Sequence, residues 1–175
     1  MRNLILKLIL TAVLFTAPTA QAQEIVRDEM LIRKGDWYIW YSEWSDGLKG
    51  CAAEIVQDKK SILKFRVAKK GAKGASSFGI KIGDNASPEA IKSFHFRIDN
   101  YPPWEDEKPV FNAGYLIYSF SNKPPETANE VHRQLRQGNT FHYLDERGNT
   151  IKSVTLKGSN AAIKELKNCV KTYVN

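Results

Sequence analysis

The sequence predicts an α+β fold: a single antiparallel β-sheet, barrel or sandwich domain with two short helices, the C-terminal one disulfide-linked to an early strand. Three observations carry this expectation. Apolar residues recur mostly at every second position from Trp37 to Leu156, two stretches switch to helical spacing, and there are two cysteines, Cys51 and Cys169. With 175 residues, 42% apolar and 26% charged, the composition is that of one ordinary globular domain. Disordered, collagen-like and polytopic membrane classes are excluded.

Residues 1–22 read as a secretory signal peptide. Arg2 and Lys7 supply the positive end, residues 8–17 form the apolar centre, and Ala20-Gln21-Ala22 fits a small-x-small cleavage site, so that a domain of residues 23–175 remains. The apolar centre is half the roughly 20 residues a membrane helix needs. No cysteine follows the cleavage site to take a lipid, and no transmembrane anchor is expected after processing. The alternative is an uncleaved amphipathic helix. Cleavage takes the net charge from +7 to +5, so the exported product stays cationic. An exported protein meets an oxidising compartment, periplasmic or extracellular, where two cysteines pair. The other reading of Cys51 and Cys169, reactive thiols, lacks a C-x-x-C motif.

Residues 23–34 are mixed and polar and read as a lead-in. Trp37, Ile39 and Tyr41 then alternate with Tyr38 and Trp40, putting aromatics on both faces of one strand. Leu63, Phe65 and Val67 alternate with Lys64 and Arg66; Phe78, Ile80 and Ile82 with Gly79 and Lys81; Phe94, Phe96 and Ile98 with His95 and Arg97. Strands with one apolar and one polar face favour antiparallel sheets. Residues 69–77, rich in glycine and lysine, read as a hairpin-like connection, and the proline-rich, acidic residues 100–109 as a long surface loop. Ala128, Val131 and Leu135 share a stripe over residues 126–137, with Gly138 as the stop. Residues 140–144 and 151–156 form a hairpin around a glycine-containing loop. Gly158-Ser159 caps a last helix whose stripe of Ala162, Ile163, Leu166, Cys169 and Val170 turns Cys169 to the core.

No G-x-S-x-G, H-E-x-x-H or phosphate-loop motif is present. His95, His132 and His142 fall on strand, helix and strand without metal-ligand spacing, and no cofactor or metal is expected. Two features point instead to binding. Tyr38 and Trp40 either lie beneath a helix or loop or present a platform for sugar rings, bases or partner side chains. Lys64, Arg66, Lys81 and Arg97 are expected together on the polar sheet face, with Lys69, Lys70 and Lys73 nearby, either as a solvated face or as a seat for an anion.

One resemblance bears on this. Leu135-x-x-Gly138 before a strand, then Val154-Thr155-Leu156-Lys157-Gly158-Ser159 and Ala162, Leu166 and Cys169, resembles the end of exported alphaproteobacterial proteins of the invasion-associated locus B family. Gly35-Asp36-Trp37 and Gly50-Cys51-Ala52-Ala53 fit the same layout, a tryptophan strand leading to a turn that carries the cysteine. The resemblance implies a small exported β-rich protein with a Cys51–Cys169 bridge, linked in some members to host interaction or the envelope. It carries over no active-site residue.

The function expected is non-enzymatic binding, in the periplasm or outside the cell, of an envelope glycan, lipid or protein through Tyr38, Trp40, Lys64, Arg66, Lys81 and Arg97. Nucleic acid is not an expected partner of an exported chain without a nucleic-acid motif. The rivals are an envelope hydrolase built from His95, His142 and the acidic loop, and an inhibitor of cell-wall lysozymes. Net positive charge opposes encounter with a basic lysozyme.

Overall fold

The structure, a computed structural model, describes residues 24–57, 60–83, 91–121 and 123–175. The signal-peptide assignment, residues 1–22, lies outside them. Among the described residues, eleven strands form two antiparallel sheets. The first contains β1 (Ile25–Lys34), β2 (Trp37–Trp44), β3 (Lys49–Gln57), β4 (Lys60–Lys70), β5 (Lys73–Lys81), β8 (Val110–Asn112) and β9 (Tyr115–Ser119), in the order β1-β2-β3-β4-β5-β9-β8. The second, β11-β10-β6-β7, contains β6 (Phe94–Ile98), β7 (Trp104–Asp106), β10 (Thr140–Leu144) and β11 (Thr150–Thr155). Of the two closures open to the sequence, the sandwich is the one adopted: the sheets stack and neither closes into a barrel.

One face of the seven-stranded sheet carries the core. Trp37 and Ile39 of β2, Ala53 and Ile55 of β3, Leu63 and Phe65 of β4, Phe78 and Ile80 of β5, and Leu116 and Tyr118 of β9 are all buried there. Over β5 and β9 this face meets the second sheet through aromatic rings. Phe78 lies 5.0 Å from Phe96, 5.8 Å from Phe94 and 5.8 Å from Phe141, all from the opposing sheet. Over β1, β2 and β3 it meets α2 (Ser159–Cys169) and a short π-helix (Val170–Val174). A disulfide joins Cys169 to Cys51 of β3, and Tyr173 packs its ring on Tyr41 at 4.9 Å. The Trp37 indole N–H donates to the Lys157 carbonyl at 2.9 Å, pinning the entrance of α2 to β2.

Between these halves lies α1 (Pro125–Gln137), with Val131 and Leu135 buried. Pro125 opens it, as suits a first turn that needs no N–H donors. Gly138 ends it where space allows nothing larger, since a Cβ there would stand 2.3 Å from Ile98 and 2.8 Å from the Gln134 carbonyl. Asp99, in a left-handed conformation, accepts hydrogen bonds from the backbone N–H of Asn139 and Thr140, so the same junction is tied to β6.

Within α1, His132 stacks on Phe120 at 4.1 Å. Burial, aided by Lys167 and Arg136, holds its pKa below the usual imidazole value of 6.5. Just below pH 6.5 the unfolded chain takes up the proton and the folded protein does not, so stability falls as pH drops through this window. Urea unfolding of His132→Phe, which keeps a ring on Phe120, is expected to show a shallower loss between pH 7.5 and pH 5 than the unaltered protein. Equal slopes would place the proton-linked loss elsewhere.

Several expectations need correction. The polar lead-in is strand β1, an edge strand with bulges beside Val26 and Leu31; its charged side chains suit an unpaired edge. The connection over residues 69–77 shrinks to a tight turn at Gly71-Ala72, because Gly71 takes a positive φ and the small residues of β5 still alternate and pair. Gly50-Cys51-Ala52-Ala53 is not a turn but part of β3, paired with β2 and β4 on either side. The proline-rich loop contains β7, whose Asp106 is buried and receives a hydrogen bond from the Lys123 ammonium at 3.1 Å.

Candidate binding face on the seven-stranded sheet

Alternation turns Tyr38, Trp40, Lys64, Arg66 and Lys81 away from the core, onto the other face of the seven-stranded sheet. The described helices pack on the core face, so the helix of the helix-or-loop cover expected over Tyr38 and Trp40 lies elsewhere. Arg97 does not join this group. It sits on β6, opposite His142 in the second sheet, because β6 pairs with β10 and not with β5. Its strand shows the expected alternation, but in the other layer of the sandwich.

Two residues the sequence reading omitted complete the face. Trp44 shares the parity of Tyr38 and Trp40 and lies over Gly50, where a Cβ would approach its ring to 3.3 Å. Tyr115 comes from β9, whose Leu116 and Tyr118 alternation, continued by Phe120 just past the strand, was a readable strand signal. Both rings carry cations. The Arg66 guanidinium carbon is 4.6 Å from the Trp44 ring centroid, while the ammonium groups of Lys64 and Lys81 lie 5.5 Å and 5.2 Å from that of Tyr115. These aromatics therefore hold positive groups in place and are only partly available as stacking platforms.

The cations differ in how far they are neutralised. Lys64 pairs with Glu54 at 2.9 Å, and the Lys81 ammonium donates to the Ala113 carbonyl at 2.7 Å. Arg66 is half-buried and has no carboxylate within ion-pair distance among the described residues. Desolvation lowers its pKa from the usual arginine value. Burying a guanidinium without an acid partner is unfavourable, and an incoming anion would relieve that cost. A second orphan lies in the same cross-strand row, Trp40–Ala52–Arg66: the buried Trp40 indole N–H has no acceptor among the described residues.

The floor around Arg66 is low. Ser77 stands opposite it on β5, with Gly79 and Ala75 on either side along the strand and Ala68 on β4. Two depressions meet at Arg66 and Ser77, one of about 180 Å³ reaching Lys64 and Tyr115, the other of about 380 Å³ reaching Lys70 and Lys73.

The groups of the hydrolase alternative occupy the second sheet. His95 Nε2 lies 2.6 Å from Ser93 Oγ and 3.6 Å from Glu105. Both partners meet the same ring nitrogen, whereas a serine–histidine–carboxylate relay needs them on opposite nitrogens. His142 uses Nδ1 with Ser153 Oγ at 2.9 Å. Among the described residues no group of three or more His, Cys, Asp or Glu side chains is arranged to hold a metal. No helix of the described residues is long and apolar enough to cross a membrane.

No protein-family model, curated protein or solved structure matches the chain.

Proposed function

We propose that this is an exported binding protein of the bacterial envelope, periplasmic or secreted, that recognises an anionic envelope component on the outer face of the seven-stranded sheet. The observation that carries the reading is Arg66: half-buried, seated on Trp44, and without an acidic partner among the described residues. Ring support positions the guanidinium while leaving its charge uncancelled, and in-plane N–H groups then remain for a carboxylate or phosphate. The disulfide supports residence in an oxidising compartment. The resemblance to the invasion-associated locus B family supports an envelope or host-facing setting, with the ligand decided by this chain's own surface.

The expected result for Arg66→Gln is at least a tenfold loss of binding to isolated envelope fractions, since a charge-assisted hydrogen bond contributes about 1.5–3 kcal/mol. The thermal midpoint should change little, and Lys164→Glu, on the exposed side of α2, should bind as the unaltered protein does. Binding should also weaken as salt is raised. Undiminished retention of Arg66→Gln would remove this face from consideration.

A further inference from the structure

We infer, resting on that reading of Arg66, that the ligand is a linear acidic glycan lying lengthwise along β4 and β5. The two depressions that meet at Arg66 and Ser77 form one groove parallel to these strands. Cations recur along it. Lys64, Arg66 and Lys70 all point to this face of β4, so the groove spans about 20 Å at the usual rise of a strand. At its far end Lys70 and Lys73 stand directly opposite one another in the register. Like charges in that position oppose pairing, and an anion between them would remove the penalty. Asp46 answers Lys70 at 3.0 Å, but no acid pairs with Lys73 among the described residues. A ligand that satisfies both Arg66 and Lys73 must carry negative groups repeatedly along its length.

The groove also discriminates between polymers. β4 and β5 are interior strands whose backbone groups are engaged with neighbours on both sides, so a peptide laid on this face gains no β-augmentation. Single-stranded nucleic acid binds chiefly by stacking bases on free aromatic faces, and here Trp44 and Tyr115 are already occupied by cations. A carboxylated sugar chain needs neither. Its rings can approach a floor of Ala68, Ala75, Ser77 and Gly79, its hydroxyls can bond to Ser77, and its carboxylates can meet the cations.

Calorimetric titration of the oxidised protein tests this with oligogalacturonates and oligomannuronates of two, four and six units, a neutral hexasaccharide, oligoglutamate and oligothymidylate. One acidic series should bind, at least tenfold more tightly as hexamer than as dimer, with the neutral chain, peptide and DNA weaker than that hexamer. Lys73→Glu should reduce hexamer affinity several-fold while leaving the dimer unchanged, and Arg66→Gln should weaken both. The inference is overturned if neither acidic series binds, if length has no effect, if Lys73→Glu leaves the hexamer unchanged, or if peptide or DNA binds more tightly. Arg66-dependent retention on envelope fractions with no oligouronate binding would sink the glycan alone. Retention indifferent to Arg66 would sink the anion-binding reading beneath it.

Discussion

Replacing Phe78 with alanine is expected to destabilise the protein by about 3–5 kcal/mol. The ring belongs to β5 of the first sheet and is fully buried, yet it touches Phe94, Phe96 and Phe141 of the second sheet as well as Phe65, Tyr118 and Phe120. Its removal leaves a cavity between two hydrogen-bonded layers, and paired strands cannot move independently to fill it. The midpoint of thermal unfolding should fall by on the order of 10 °C for a domain of this size. Phe78→Leu, which retains much of the volume, should lose clearly less. Urea unfolding followed by circular dichroism gives both values; a loss below about 1 kcal/mol for the alanine variant would mean that the layers do not depend on this contact.

Removing the disulfide has a comparable effect through the unfolded chain. Cys51 and Cys169 are 118 residues apart in sequence, and the loop-entropy model assigns a closure of that length about 4–5 kcal/mol. The double substitution Cys51→Ala with Cys169→Ala should therefore be destabilised by several kcal/mol. Because both sulfurs are buried, reductant should act on the native protein only as fast as it opens locally or globally. Hydrogen exchange should rise first in α2 and the π-helix, which the bridge holds over β1–β3. A reduced variant with unchanged stability and exchange would show that packing by Trp37, Tyr41 and Tyr173 suffices without the covalent link.

Much of the fold was legible because a strand's side chains alternate with a period of two. That rule correctly turned Trp37, Ile39, Tyr41, Phe65, Phe78, Phe94 and Phe96 inward, and Tyr38, Trp40, Lys64 and Arg66 to the other face. Helical spacing located α1 and α2, and the burial of Cys169 followed from its stripe. β1 and β7 were harder to read because they lie at sheet edges: exposure removes the apolar alternation, and prolines beside Trp104 imitate a loop.

The candidate site was legible only in part. Parity placed Tyr38, Trp40, Lys64, Arg66 and Lys81 on a polar face, and it would have placed Trp44 there too. It could not separate Arg97 from them, since alternation is the same in either layer of a sandwich. Nor could it show that Trp44 supports Arg66 or that Tyr115 supports Lys64 and Lys81, contacts made across strands far apart in the chain.

By itself, then, the sequence determined the β-rich class, the two helices, the inward and outward faces of the main strands and the fitness of two cysteines to pair. Tertiary structure alone decided which strands share a sheet, that Arg97 falls in the other layer, and that Arg66 is left half-buried without an acid beside it among the described residues. The physical reason is that side-chain direction is local geometry, repeated every two residues. Strand partnership and charge compensation arise when distant segments compete for the same apolar surface and the same hydrogen bonds.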